Sequence, residues 1–414
     1  DAGAFHGPTS LPGGCTGRLQ RTPAHRGSAF TAPTQSCTVA VETYNLPKGP
    51  RVSELLPLIE DLVRIDSVNP VLDPARPGEG AVARFVQEWA QERGLETEWL
   101  ESVPGRPSVI VRARGTGGGR TLMLTAHLDT VGVTGMEAPF EPRVEDGRLY
   151  GRGVMDMKAS LAVCLLTAQR ALDTNLRGDV VVTAVADEEH GSIGTEEVLR
   201  ALAATGANAD PESGSADPFP GAHAAIVTEP TDLQLHVAHR GFSVFEVEFT
   251  GKASHTSQPH AGVNAISHLG RLLALVEEHD EALRALEPHP LLQHGSLLPV
   301  LVEGGQELFT TPTWATVTLE RRTLPGESAA ATRQEMSDLL RRLTESDPTM
   351  SAGVRTLVER EPFEAGGGAA EIAEHLSRAS RDVRGTAPER LGAPYWTDAA
   401  LVAAYADSAR TAVN

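Results

Sequence analysis

Cysteine is scarce in this chain, three in 414 residues, which excludes a small fold stapled by disulfides. Cys15 and Cys37 fall in the first 51 residues, and Cys164 lies in an apolar helical run where it reads as a core thiol rather than a nucleophile. Such usage fits a reducing cytoplasm. Aromatic residues are few, 4%, so the core must be largely aliphatic. No run of about 18 apolar residues occurs, and no membrane-spanning helix is expected. Positive charge is also short: 36 Lys and Arg face 55 Asp and Glu, a net charge of −19. No basic stripe reverses this locally, so neither nucleic acid nor an anionic membrane is expected as a partner. No methionine precedes Met123, which reads as a fragment, a processed chain or a misassigned start.

At roughly 150 residues per domain the length allows two to three domains. Residues 1–51 stand apart: they are rich in Gly, Pro, Ser and Thr, lack periodicity and carry a net charge of +3, so they read as a disordered or foreign segment. From Ser53 the pattern becomes globular. Leu55, Leu56, Ile59, Leu62 and Val63 recur at helical spacing, as do Val82, Phe85, Val86 and Trp89 in a second helix from about Gly80. Short apolar runs at Ser108–Val111, Thr121–Leu128, Val180–Ala186 and Ala224–Val227 alternate with helical stretches. Apolar on both faces, they predict a mainly parallel sheet between helices, an α/β layer. Gly206–Ala222 reads as a surface loop. Alternation over Phe242–Phe249 and Thr313–Leu319, with helices at about Asn264–Glu278 and Glu335–Thr344, predicts an inserted α+β domain. The expected division is therefore 52–235 and 347–414 for a first domain and 236–346 for the insert.

Four places join this pattern to chemistry. His127 and Asp129 stand two apart at the end of an apolar run, so on a strand both face one side, at the edge where open α/β sheets bind ligands. Gly151-Arg-Gly153-Val-Met-Asp156 precedes a helix, where glycine permits close backbone approach. Glu188 and Glu189 close the third run and point in different directions, so that one could bind a cation while its neighbour serves as general base. Asp187 and His190 beside them read as part of a solvated acidic turn. Glu229-Pro230 ends the fourth run. If these carboxylates converge, each like-charged pair near 4 Å costs on the order of 4 kcal/mol at an effective dielectric of about 20. Divalent cations would resolve that conflict.

The ordered set His127-x-Asp129, Gly-Arg-Gly-Val-Met-Asp156-Met-Lys, Glu188-Glu189-x-Gly-Ser-x-Gly and Glu229-Pro resembles the M20 metallopeptidases. This is the group of acetylornithine deacetylase, succinyl-diaminopimelate desuccinylase, aminoacylase and carboxypeptidase G2. The likeness spans about residues 53–405 and extends to Gly251-Lys-Ala-Ser-His255, Pro259-x-x-Gly-Val-Asn264 and Glu320-Arg-Arg322 in the insert. It implies a zinc-exopeptidase-like catalytic domain and a dimerisation or lid domain over 236–346, hence a homodimer. It further implies two Zn²⁺ per subunit, with Co²⁺ or Mn²⁺ as replacements. On this resemblance His127 and Glu229 hold one ion, Glu189 the second, and Asp156 bridges them. Asp129 orients His127, and Glu188 is the general base. His255 stabilises the oxyanion from the partner subunit, and Asn264 and Arg322 hold the substrate, an N-acyl amino acid or small peptide whose amide bond is hydrolysed. An acetylornithine deacetylase-like deacylase is the expected activity.

One departure stands out. The family's last histidine ligand has no counterpart in Ala403–Asn414, and His375 sits within a predicted helix, Glu371–Ser380. A chain truncated or altered at its end, with a weak second site and impaired activity, is the resulting expectation. The competing reading is a pseudoenzyme, a dimeric scaffold or small-ligand binder of the same fold. A zinc phosphoesterase is disfavoured because no Gly-rich phosphate loop opens a helix.

Overall fold

The computed structural model describes residues 38–40, 52–206, 222–366 and 369–411. Of the loop expected at Gly206–Ala222 all but its two end residues, and nearly all of the segment 1–51, lie outside them. Thr38–Ala40 is described, and instead of being disordered it forms a strand (β1). Two helices follow, Val52–Arg64 (α1) and Gly80–Gln91 (α2). Glu54 in the first turn of α1 and Arg64 in its last complement the helix dipole, while Leu62 and Val63 are fully buried. Then come Glu96–Leu100 (β2), Ser108–Ala113 (β3) and Leu122–His127 (β4). Arg143–Glu145 (β5) and Arg148–Tyr150 (β6) form a hairpin against which β1 pairs. The first part closes with Ala159–Asp173 (α3), Val180–Val185 (β7), Ile193–Gly206 (α4) and Ala224–Val227 (β8).

Five of these strands make one sheet in the order β2-β3-β7-β4-β8. β7, β4 and β8 pair in parallel, while β3 is antiparallel to both β2 and β7, so four of the five strands run one way. Alternation along each strand splits its side chains between two cores. Val109, Val111, Leu124, Ala126, Val182 and Ala184 pack under α1, α2 and α3. Ile110, Met123, Val181 and Val185 pack on the opposite face with Val198, Leu199 and Leu202 of α4. A fully buried Val or Leu contributes roughly 1.5–3 kcal/mol, so both faces hold the sheet in a three-layer α/β arrangement.

The chain continues with Leu235–His239 (β9), Gly241–Thr250 (β10), Ala265–Arg284 (α5), Ser296–Gly304 (β11) and Trp314–Thr323 (β12). Ala329–Ser346 (α6) and Ser351–Arg360 (β13) follow. A wholly antiparallel sheet, β11-β12-β10-β13, buries Phe245, Val247, Phe249, Val317 and Leu319 against Leu269 and Leu272 of α5 and Met336 and Leu339 of α6. The sheet runs to Arg360, so the boundary expected at residue 346 falls one strand short. β13 is an edge strand whose residues 351–357 are mostly exposed, and it therefore lacks the clean alternation that marks β10. Phe363–Glu364 (β14), Ala369–Arg384 (α7), Arg390–Ala393 (β15) and Ala399–Thr411 (α8) complete the chain, with β14 and β15 flanking β9. Among the described residues no helix is long and apolar enough to cross a membrane.

Candidate metal centre

Three parallel strands deliver chemistry at their carboxyl ends: His127 closes β4, Asp187-Glu188-Glu189 follows β7, and Glu229 follows β8. His127 is 1% exposed, and its Nδ1 lies 2.9 Å from the carbonyl oxygen of Asp129. A carbonyl only accepts, so Nδ1 carries the proton and Nε2 is left free to act as a ligand. Nε2 lies 2.9 Å from Asp156 Oδ1 and 3.9 Å from Glu229 Oε1. Asp156 sits in a distorted turn ahead of α3, entered through Gly153 at φ 80°, where an added Cβ would stand 2.9 Å from Thr130 Cγ2. The turn is pinned by Lys158, fully buried, whose Nζ donates to the carbonyls of Leu62 (3.1 Å) and Ile65 (2.7 Å) at the end of α1.

Asp129 acts through two different groups. Its carbonyl orients His127, whereas its carboxylate is 3.5 Å from the ring and instead accepts the backbone N–H groups of Glu188 (3.1 Å) and Glu189 (3.2 Å). Glu189 Oε1 accepts from Val131 N at 3.2 Å. Ligand atoms of His127, Glu188 and Glu229 lie within 4.8 Å of one another, as do those of His127, Asp156 and Glu189.

The electrostatics follow from burial. Desolvation raises the Glu188 carboxyl well above its usual value, with the charge of Glu229 adding to the effect. It pushes Glu189 up to about 7 and Glu229 up to about 8, the neighbouring Asp156 reinforcing both shifts and His127 opposing them. For His127 burial alone would lower the pKa, but the nearby carboxylates of Asp129 and Asp156 and the charge of Glu229 outweigh it and hold the imidazole well above its ordinary value. Among the described residues no lysine or arginine pairs with Asp156, Glu188, Glu189 or Glu229. Four carboxylates and one imidazole, with no lysine or arginine among the described residues paired to those carboxylates, are a donor set matched to divalent metal ions.

The other expected site residues have their polar partners outside this cluster. The exposed His255 has its ring Nδ1 2.8 Å from Ser257 Oγ. Asn264 caps α5, its Oδ1 accepting from Ser267 N at 3.0 Å, a role that its place ahead of an apolar helical pattern fits. Arg322 pairs with Glu320 at 2.6 Å and stacks over Phe242. His375 lies on α7 beside Glu371 and Arg378.

The profile of "Peptidase family M20/M25/M40" matches residues 123–412. The chain belongs to this family. A succinyl-diaminopimelate desuccinylase of Parvibaculum lavamentivorans is 28% identical over 367 residues, covering 85% of each chain. An acetylornithine deacetylase of Myxococcus xanthus is 27% identical over 362 residues, 82% of this chain and 85% of its own. Among solved structures, a Staphylococcus aureus tripeptidase superposes with a TM-score of 0.66 at 18% identity, covering 85% of this chain and 87% of its own. A Sulfolobus solfataricus M20 metallo-carboxypeptidase gives 0.65 at 17%, covering 86% and 89%.

In this M20 protein the sequence reading missed several polar residues. Asp187, expected in a solvated turn, is 2% exposed and ion-paired with Arg106 at 2.8 Å. Asp398 is 1% exposed, accepts from Thr195 Oγ1 at 2.5 Å, and is pushed up to about 6 by burial. Asn69 bonds both Asp129 and Asp187. Polar side chains outside a motif carry no mark in the sequence that they are buried.

Proposed function

We propose that the chain is a metal-dependent amidohydrolase that releases an acyl group from an N-acyl amino acid, in the manner its acetylornithine deacetylase and desuccinylase relatives are named for, or cleaves a small peptide. The observation that carries the proposal is the convergence of His127, Asp156, Glu188, Glu189 and Glu229 at one sheet edge. We assign His127, Asp156, Glu189 and Glu229 to hold two cations, Zn²⁺ by choice of donors, with Co²⁺ or Mn²⁺ able to replace it. When bound, the cations supply Lewis acidity that polarises the scissile carbonyl and acidifies water. Glu188 takes the proton from the attacking water on its carboxylate and returns it to the leaving amine. Asp129 holds the backbone of both glutamates and, through its carbonyl, the tautomer of His127. Free-amine release from a panel of N-acyl amino acids with added Zn²⁺ tests the reading. Activity is expected in the native chain and lost with a chelator or with Glu188→Gln; activity that survives Glu188→Gln overturns it.

A second reading has its own observation: both ligand groups draw on His127, whose one free nitrogen binds one ion. The other ion is left with carboxylate oxygens, so we assign it the weaker affinity, and a chain with one occupied site is catalytically impaired. Titration of the metal-free chain with Zn²⁺ in two separable steps supports this.

We also propose a homodimer formed through the antiparallel sheet, on the apolar side chains that its edge strand β11 exposes: Leu298, Val300, Leu301 and Val302. His255 would then serve the partner subunit's centre, and Arg322 the substrate's carboxylate. A cytoplasmic setting fits the free, buried thiol of Cys164.

A further inference from the structure

Beneath the cluster lies a second set of charged groups that no step above uses. Glu79, fully buried at the start of α2, accepts both prongs of the Arg106 guanidinium, Nε at 2.6 Å and Nη2 at 2.7 Å. The same Nη2 donates to Asp187 Oδ1 at 2.8 Å, and the Asp187 backbone N–H lies 3.3 Å from Glu79 Oε1. Asn69 carries the connection upward, its Nδ2 standing 2.9 Å from Asp187 Oδ1 and 2.7 Å from Asp129 Oδ2. Asp129 in turn receives the N–H groups of Glu188 and Glu189. None of Glu79, Arg106, Asp187, Asn69 and Asp129 exceeds 8% exposure.

The geometry has a specific consequence at Asp187. Its φ of 68° is left-handed, a conformation that a non-glycine residue keeps only where its surroundings over-determine it. Here Arg106, Glu79 and Asn69 hold its side chain and N–H, and its carbonyl accepts the N–H of Gly191 at 2.9 Å. That residue sets the direction in which the next two leave the sheet. Arg106 stands between two buried carboxylates that would otherwise repel, and only a planar fork can bond Glu79 twice while reaching Asp187.

We propose that Arg106, acting through Glu79, Asp187 and Asn69, is a positioning residue that fixes the backbone of Glu188 and Glu189, and with it the spacing between proton acceptor and cation ligand. The inference rests on the functional reading above. It is tested with Arg106→Lys, which keeps the charge and removes the fork, and Asn69→Ser, which cuts the link between Asp187 and Asp129. Zn²⁺ affinity is measured calorimetrically on the full chain, kcat and KM on an N-acyl amino acid the native chain cleaves, and folding by circular dichroism. Both variants are expected to fold, to bind Zn²⁺ about tenfold more weakly, and to lose kcat about tenfold with KM within about threefold. Folded variants whose Zn²⁺ affinity and kcat stay within about twofold of native overturn the inference. If Arg106→Lys does not fold, Asn69→Ser decides. A native chain that binds Zn²⁺ but cleaves no substrate removes the functional reading and leaves the affinity comparison to judge this one; a native chain that binds no Zn²⁺ removes both.

Discussion

Glu189 and Glu229 hold protons near neutral pH because burial raises them to about 7 and about 8, against 4.5 for an ordinary glutamate. At these two groups, between pH 4.5 and 8, the folded metal-free chain therefore holds more protons than the unfolded chain, and their contribution to its stability falls as pH rises through that window. A cation prefers the ionised carboxylates and stabilises the folded state by mass action. The drop in melting temperature caused by saturating chelator should thus be larger at pH 8 than at pH 6; an equal or smaller drop at pH 8 would show that the cluster does not titrate this way. Glu188 offers a sharper test, since it lies among the ligand atoms yet is assigned the proton. If it moves the proton, Glu188→Gln lowers kcat by about 10² to 10⁴ while Zn²⁺ stoichiometry, read by atomic absorption, stays at the native value. Stoichiometry that falls with the substitution makes Glu188 a ligand instead. These residues were legible because each closes an apolar run, and a strand end fixes where a side chain emerges. Asn69, Arg106 and Asp398 were not, since their burial follows from segments far apart in sequence.

Elements with two buried faces or one clean stripe could be read closely: the run Val180–Ala186 overruns the wholly buried β7 by one residue, and the stripe from Leu55 to Val63 lies within α1. The two edge strands of the antiparallel sheet could not. β11 contains Pro299 and an irregular register between Pro299 and Leu301, and β13 contains Gly353, so neither presents the alternation that a covered strand must have. Asn264 shows the same limit at a helix end. The resemblance assigns it to substrate, whereas the structure has it capping α5 with a 3.0 Å bond to Ser267 N. Removing the cap should cost about 1 kcal/mol, and a hydroxyl should replace most of it. Urea denaturation is expected to show Asn264→Ala destabilised by about that amount and Asn264→Ser close to native. If both variants match the native midpoint, the cap contributes nothing, and any loss of activity in them belongs to substrate binding.

For the whole molecule the open question is what covers β11. An edge strand presents unpaired N–H and C=O groups, and proteins usually blunt it with proline, a bulge or lysine. β11 has the first two in its first half, at Pro299 and the adjoining register shift, but from Leu301 to Gly304 it pairs regularly with β12 and carries no lysine. Leu301 and Val302 are 66% and 55% exposed there, a poor arrangement for a surface left in water. Pairing of two such strands about a twofold axis would extend the sheet across both subunits and cover that half of the edge. Sedimentation equilibrium should accordingly give twice the chain mass of 43.9 kDa, and the double variant Leu301→Lys, Val302→Lys should give the single mass while remaining folded. Because His255 is exposed and makes no hydrogen bond or ion pair with its own chain's acidic cluster among the described residues, the monomeric variant should keep its Zn²⁺ but lose turnover. A native chain that sediments at the single mass, or a monomeric variant as active as the native chain, would place the site's whole machinery within one subunit.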